Sequence, residues 1–354
     1  MSMDASPTAS WLSDDDLTKL AKADLHVHLV GSAAPVTVAE LAGRHPDTGV
    51  PADEGALGEY FEFQDFGHFL EVYGAVSALV RLPEDIVALV VGLADVMAAQ
   101  GTAYAEVTVT PTAHVDAGIG LDDLAQALDI GARRARSERG VELAWVYDIN
   151  GLEGATGAAR TLEAALRHPP AALVGFGLGG PEVGAPRAAY ADYFAAARAA
   201  GLHSVPHAGE SVGPEEVWAA IERLGAERVG HGIAAVSDLQ LLDRLRDEGI
   251  ILEVCPSSNV ATGVVASLAE HPLPALVAAG VGVALGSDDP PMFNTSLLDE
   301  YRRVRDEMLF DASQLRTLAR TSIAASFAPE AVKRDLLSCR SSGAPDMPES
   351  AGRL

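Results

Sequence analysis

Short apolar runs recur along the chain, separated by longer segments in which apolar positions return every three or four residues. The runs Ala23–His28, Ala103–Thr108, Glu142–Asp148, Leu173–Leu178, Ser204–His207, Arg228–His231, Ile250–Val254 and Gly282–Leu285 read as strands. Between them, Ile86–Ala99, Leu121–Arg136, Tyr190–Ala199, Glu215–Leu224 and Asp238–Glu248 carry the 3.6-residue period of amphipathic helices. Helix starts are signalled as well: Ser237-Asp238 leads into one segment and Pro214 opens another. Near-continuous apolar strands are buried on both faces, which is the condition of a parallel sheet wrapped in helices. Eight strand–helix alternations predict an α/β protein, a (β/α)8 TIM barrel as the simplest closure, with a doubly wound open sheet as the alternative.

The stretch from Gly31 to Arg81 is too long for one connecting helix and holds the aromatic cluster Phe61, Phe63, Phe66 and Phe69. It reads as a helical insertion after strand 1. Two readings of it stay open: a cover for the barrel mouth, or a surface insertion with a small core of its own. Residues 1–20 form an N-terminal extension and residues 21–337 the barrel. Residues 338–354, rich in Ser, Gly and Pro, read as a disordered tail.

Composition narrows the function. Of 354 residues, 48 % are apolar, enough for one large core. A formal net charge of −25 argues against nucleic acid backbones and anionic membrane surfaces, which would repel the chain. The segment Met1–Asp16 lacks the basic and apolar regions of a secretory signal. The uncharged stretch from Pro272 to Ser287 is too short and too broken by Gly and Pro to span a bilayer. The two cysteines, Cys255 and Cys339, have no paired spacing, so a disulfide framework is excluded and a reducing cytoplasm is expected.

The clearest chemical signal is His26-Val27-His28 at the end of the first strand. Side chains two apart on a strand point to the same side, so both imidazoles aim into one space. That space lies at the carboxyl end of the strand, where barrel enzymes hold their chemistry. His207, Glu210, His231, Asp288 and Asp289 sit at the ends of three other strands. Three histidines and a carboxylate suit a borderline metal such as zinc and leave room for water. His45, His68, His114 and His168 read as solvated, His203 as packing and His271 as structural. Only three lysines occur, Lys19, Lys22 and Lys333, and none lies at a middle strand end where a binuclear hydrolase would carry its bridging lysine. A cytidine-type nucleic acid deaminase is excluded because its paired-cysteine zinc motif is absent.

Taken together, the motifs resemble the adenosine deaminase family. They are H-x-H-L-x-G at His26–Gly31, H-A-G-E at His207–Glu210, G-H-G at Gly230–Gly232, C-P-S-S-N at Cys255–Asn259 and S-D-D-P at Ser287–Pro290. Weaker similarity runs through Val174–Glu182 and Thr321–Leu337, where Ser326, Phe327 and Lys333 fit the family's closing helix, so the likeness spans Ala21 to Leu337. The resemblance implies one zinc per chain held by His26, His28, His207 and Asp288, with catalytic roles for Glu210, His231 and Asp288. Glu210 would protonate N1 of a purine. His231 would stabilise and orient the attacking hydroxide, and taking its proton stays open as a second role. Asp289 would contact N7 and the Gly180 N–H would contact N3. The partner is then a small-molecule purine nucleoside that loses its 6-amino group.

Several positions depart from the family pattern. Val30 stands where an acidic residue usually meets the ribose 5′-hydroxyl, so Val30 is a substrate-contact candidate of altered kind. Arginines expected near Thr108 and in the stretch Tyr147–Asn150 are missing, and Gly177 and Pro181 replace acidic residues. An unchanged C6 end with a rewritten ribose end predicts a 5′-modified nucleoside. Aminodeoxyfutalosine, an intermediate of menaquinone biosynthesis, leads; methylthioadenosine and 5′-deoxyadenosine also fit. A benzoate-bearing substrate calls for a cation near the mouth, for which Arg81 and Arg187 are the candidates. Adenosine or adenine deamination is the alternative. Another metal-dependent hydrolase or a non-catalytic purine-binding barrel stands further off.

Overall fold

The computed structural model describes residues 11–338. The expected tail beyond Ser338, and the first ten residues of the expected extension, lie outside the described residues. Eight parallel strands follow one another in chain order: β1 (Lys22–His28), β2 (Thr102–Val109), β3 (Glu142–Asn150), β4 (Leu173–Gly179), β5 (His203–Ala208), β6 (Arg228–His231), β7 (Ile251–Val254) and β8 (Val283–Leu285). Each expected strand is present. Closure joins β1 to the segment after β8: the His28 N–H donates to the Asp288 carbonyl at 2.9 Å, and the Asp288 N–H donates to the His26 carbonyl at 2.8 Å. The barrel rather than the open sheet is therefore the architecture. The bonds that close it also set Asp288 beside both first-strand histidines.

The outer helices follow the periodic segments: Pro83–Ala99, Leu121–Arg134, Ala191–Ala199, Pro214–Leu224 and Leu239–Glu248. Asp238 caps the last of these, accepting from the Gln240 and Leu241 N–H groups at 2.9 and 3.1 Å. The insertion after β1 comprises helices Pro35–Arg44, Glu54–Tyr60 and Phe66–Ser77, which pack into the same apolar cluster as β1 to β4. Within the N-terminal extension, helix Asp14–Lys19 buries Leu17 completely against the barrel's second apolar cluster, so this part is integral to the fold.

The closing helix expected over Thr321–Leu337 is two helices. Ala312–Ala325 ends at Ser326, whose backbone is extended, and Glu330–Ser338 begins after Pro329, which cannot continue the earlier ladder. The break has a use at the base of the barrel. Between the helices, the Phe327 N–H donates to Glu106 on β2 at 2.5 Å, and its ring lies 3.8 Å from the Arg228 guanidinium and stacks on His203 at 3.7 Å. Arg228 on β6 is fully buried and pairs with Glu106 and with Glu253 on β7. Among the described residues, no helix is long and apolar enough to cross a membrane.

Candidate active site

The sequence-predicted ligands converge at the carboxyl mouth of the barrel. Ligand atoms of His26, His28 and His207 lie within 4.8 Å of one another, as do those of His26, His231 and Asp288, and those of His28, Asp288 and Asp289. His28 Nδ1 is 2.9 Å from the Asp288 carboxylate. His26 Nε2 and His207 Nδ1 are buried without a hydrogen-bond partner, and the neighbours of His28 Nδ1 are the Asp288 and Asp289 carboxylates. Buried polar atoms left unpaired cost roughly 1–3 kcal/mol each, so two such nitrogens in a converging histidine–carboxylate cluster are a costly arrangement unless a cation completes it. The donor set of imidazole nitrogens with one carboxylate fits zinc. His26 is oriented from behind: its Nδ1–H donates to Glu253 at 3.0 Å, which leaves Nε2 as a free lone pair.

The backbone is strained at two of these positions. His231 (φ 56°) and Asp288 (φ 62°) are among four non-glycine residues with positive φ in the described chain, a conformation that costs on the order of 1–3 kcal/mol. Gly31, by contrast, is required by proximity: an added Cβ would land on the Asp289 carboxylate. Gly180 (φ 77°) needs its left-handed conformation to bend the chain out of β4.

Glu210 is buried, with its carboxylate 3.7 Å from His231 Nε2. Burial, reinforced by the Asp288 and Glu182 charges, pushes its carboxyl well above the ordinary range. Its loop is held by Glu182, which accepts from the backbone N–H groups of Gly209 (2.5 Å), Glu210 (3.0 Å), Ser211 (2.7 Å) and Val212 (3.3 Å). Arg187 fixes the neighbouring strand ends. Fully buried, it donates to the His207 carbonyl at 2.7 Å and to carbonyls of Ala185 and Gly180 at 3.1 and 3.4 Å. Its donors are committed to backbone, so it is not the mouth cation. Arg81 does line the cavity, braced by Asp47 at 2.9 Å.

The remaining histidines divide. His271, expected to be structural, is buried and meets Asn259, which in turn meets His231. His203 packs on Phe327 as expected. His114 is a correction: it is 1 % exposed, because its short helix Pro111–Asp116 turns it inward, and burial pulls it down to about 4. His45, His68 and His168 are half-buried rather than freely solvated, and His168 pairs with Asp122 at 2.6 Å.

These groups open onto one cavity of about 540 Å³. Its inner end holds His28, His207, Glu210, His231, Asp288 and Asp289; Gly180 lines its side. Phe66, Phe69, Tyr73 and Ser77 of the insertion helix form a wall, so the insertion covers the mouth. Val30 is not on that wall. The chain turns after His28, with the Ser32 N–H bonded to the His28 carbonyl, and Val30 is buried in the apolar cluster. Strand alternation therefore does not carry Val30 into the cavity. Asp148 was not singled out from sequence. It lines the cavity with one carboxylate oxygen unpaired, and burial pushes it up to about 7. Gly179 on β4 makes its room: an added Cβ there would lie 2.6 Å from Asp148 Oδ2.

A parallel eight-stranded barrel with a histidine–aspartate cluster and a buried acid at its carboxyl mouth defines a barrel hydrolase of the metal-dependent kind. The chain belongs to the adenosine deaminase family, whose model matches residues 21–340. It is a deaminase, acting hydrolytically on a C–N bond. It is 48 % identical over 316 residues to an aminodeoxyfutalosine deaminase of Streptomyces avermitilis, covering 89 % of this chain and 88 % of that one. It is 38 % identical over 321 residues to an adenine deaminase of Rhizobium leguminosarum bv. trifolii, covering 90 % and 98 %. Among solved structures, an adenine deaminase of Arthrobacter aurescens superposes with a TM-score of 0.85 at 31 % identity, covering 90 % and 98 %.

Proposed function

We propose that the chain is a zinc-dependent aminohydrolase that removes the 6-amino group of a 5′-modified purine nucleoside, with aminodeoxyfutalosine as its substrate. The observation that carries the chemistry is the joint placement of the converging His26, His28, His207 and Asp288 ligand atoms and the buried Glu210 carboxyl, raised above its ordinary range, at the barrel mouth. His26, His28, His207 and Asp288 would hold one zinc per chain. When bound, such an ion supplies Lewis-acid activation of water near neutral pH. The protein's own groups do the rest. Burial holds the Glu210 carboxyl well above its ordinary range, which favours the protonated acid, and the group is placed to give its proton to N1, making C6 electrophilic. His231, 3.7 Å from both Glu210 and Asp288, orients the attacking water between the two carboxyl groups. Burial raises Asp289 to about 6, towards the protonated form that can donate to N7. Gly180 offers its N–H to N3.

The substrate assignment rests on the 48 % identity to the Streptomyces avermitilis relative and on Arg81 in the cavity wall. A volume of about 540 Å³ fits a whole small ligand, for which pockets of roughly 300–1,000 Å³ are usual. Adenine or adenosine is the second reading, favoured by the adenine deaminase relatives. The small-molecule substrate and the acidic chain fit a cytoplasmic enzyme. The test is kcat/KM by ammonia release for aminodeoxyfutalosine, methylthioadenosine, adenosine and adenine, with elemental analysis of the same sample. One zinc per chain and highest kcat/KM for aminodeoxyfutalosine is the expected result. Preference for adenine or adenosine overturns the substrate, and two metals per chain overturns the mononuclear site.

A further inference from the structure

A chain of three buried hydrogen bonds ends on His231. The Leu273 N–H meets His271 Nδ1 at 3.1 Å, His271 Nε2 meets Asn259 Oδ1 at 3.1 Å, and Asn259 Nδ2 meets His231 Nδ1 at 3.1 Å. Asn259 is fully buried and His231 and His271 nearly so. The chain has a direction because its first member has no choice. A backbone N–H can only donate, so His271 Nδ1 must accept. The neutral His271 ring then carries its proton on Nε2 and donates it to Asn259, which fixes the amide oxygen on that side. The amide NH₂ is left facing His231, and an NH₂ can only donate. His231 Nδ1 must therefore be a lone pair, and its ring proton sits on Nε2.

We propose that Asn259 and His271 are positioning residues that lock His231 into the Nε2–H tautomer, so that His231 acts as a hydrogen-bond donor and not as a proton acceptor. The consequence is chemical. His231 Nε2 faces Glu210 and Asp288 at 3.7 Å each, across the space where the attacking water would lie. A ring locked as a donor there stabilises negative charge on oxygen as it develops, but has no free lone pair on that nitrogen with which to take a proton. Of the two roles the family resemblance leaves to His231, orientation and proton removal, the chain selects the first. Proton acceptance then falls to a carboxylate, and of the two that face His231 Nε2, Asp288 is the one left once Glu210 serves as the acid. Imidazolium is excluded by the same geometry, since a second N–H at Nδ1 would point into the amide NH₂. The lock explains why a buried asparagine and a buried histidine lie behind an already buried catalytic ring, where apolar residues would pack at lower cost. The inference extends the deamination reading, although the tautomer itself does not depend on which nucleoside is used.

The test is long-range ¹H–¹⁵N correlation spectroscopy of the ¹⁵N-histidine-labelled full-length protein, with the His231 signals assigned by their loss in His231→Gln. The wild-type ring is expected to show the Nε2–H tautomer. Asn259→Asp keeps the shape but presents only acceptors, so the proton should move to Nδ1, with kcat falling about 10²–10³-fold and zinc content unchanged. His271→Gln retains a neutral donor towards Asn259 and should keep the wild-type tautomer and most of kcat. An Nδ1–H or doubly protonated His231 in the wild-type protein overturns the proposal, even if no variant folds. So does Asn259→Asp with an unmoved tautomer or wild-type kcat. A wild-type ring in the expected tautomer, in a protein that releases no ammonia from any purine, would sustain the lock while overturning the deamination reading.

Discussion

Glu182 offers the sharpest quantitative test, because one side chain holds the loop that presents the catalytic acid. Its Oε1 accepts from the Gly209 N–H, and its Oε2 from the N–H groups of Glu210, Ser211 and Val212 and from the Ser211 hydroxyl. In Glu182→Gln only one oxygen remains. If it takes the Oε2 place, the Gly209 N–H faces an NH₂ and is left unpaired at roughly 1–3 kcal/mol, while the other bonds lose their charge assistance. The bonds share one carboxylate and do not add, so a local loss on the order of 3 kcal/mol is the working figure. Glu210 would then be misplaced for part of the time, and an error of about 1 Å in such a group costs on the order of 10² in rate. The expectation is a kcat lower by about 10²-fold with zinc retained, since Arg187 and the barrel, not Glu182, hold His207.

A second readout separates charge from packing. The Glu182 charge helps to raise the Glu210 carboxyl, so removing it lowers that pKa, and the alkaline limb of the pH–kcat profile should move to lower pH. Hydrogen exchange of the peptide spanning 207–213 measures the loop, and steady-state kinetics measures the acid. Wild-type kcat with unchanged exchange protection in a zinc-loaded Glu182→Gln protein would refute the reasoning.

The other predictions are briefer. Glu210→Gln should keep its zinc and lose about 10²–10⁴ in kcat, and the alkaline limb should vanish with it, because kcat otherwise falls as pH rises through the raised Glu210 pKa; residual activity close to wild type would show that another group is the acid. His114, held near 4 when folded against an ordinary value of 6.5, binds its proton more tightly when unfolded. Its contribution to stability is therefore complete above about pH 6.5 and is lost as pH falls towards 4. At about 1.4 kcal/mol per unit, the 2.5-unit gap corresponds to roughly 3 kcal/mol. Urea unfolding from pH 4 to 7 should show a shallower acid loss in His114→Leu than in wild type, and identical slopes would contradict the assignment.

The strands were legible because a parallel sheet buried on both faces writes itself as apolar runs, and the ligands because each closes such a run. His28, His207 and His231 stand at or next to the last residue of a strand, and His26 lies two residues before the end of β1. Their supports were harder to read. Glu253 is 227 residues from His26, and Glu182 is 28 from Glu210, so no local pattern joins either pair. A signal was nonetheless present: Glu106, Arg228 and Glu253 are charges inside strands otherwise read as buried, and a buried charge requires a partner. Two acids, one arginine and an adjacent histidine form a set that such reasoning can pair without coordinates.

Val30 marks the limit of that kind of reading. The rule that residues two apart share a face holds while the backbone stays extended, and β1 ends at His28. Beyond it the chain coils, with the Ser32 N–H on the His28 carbonyl and the Ala33 N–H on the Val30 carbonyl. A motif can therefore align residue by residue with a family while the side chain after the strand end faces elsewhere. On β4, Gly177 pairs in register with Asp148 of β3, and a Cβ added at Gly179 would lie 2.6 Å from Asp148 Oδ2. A carboxylate borne by β3 is thus present on that side of the cavity, and the β4 glycine beside it leaves it room. Reading the β4 motif alone misses the acid there; the register between Asp148 and Gly177 shows which carboxylate stands beside that strand.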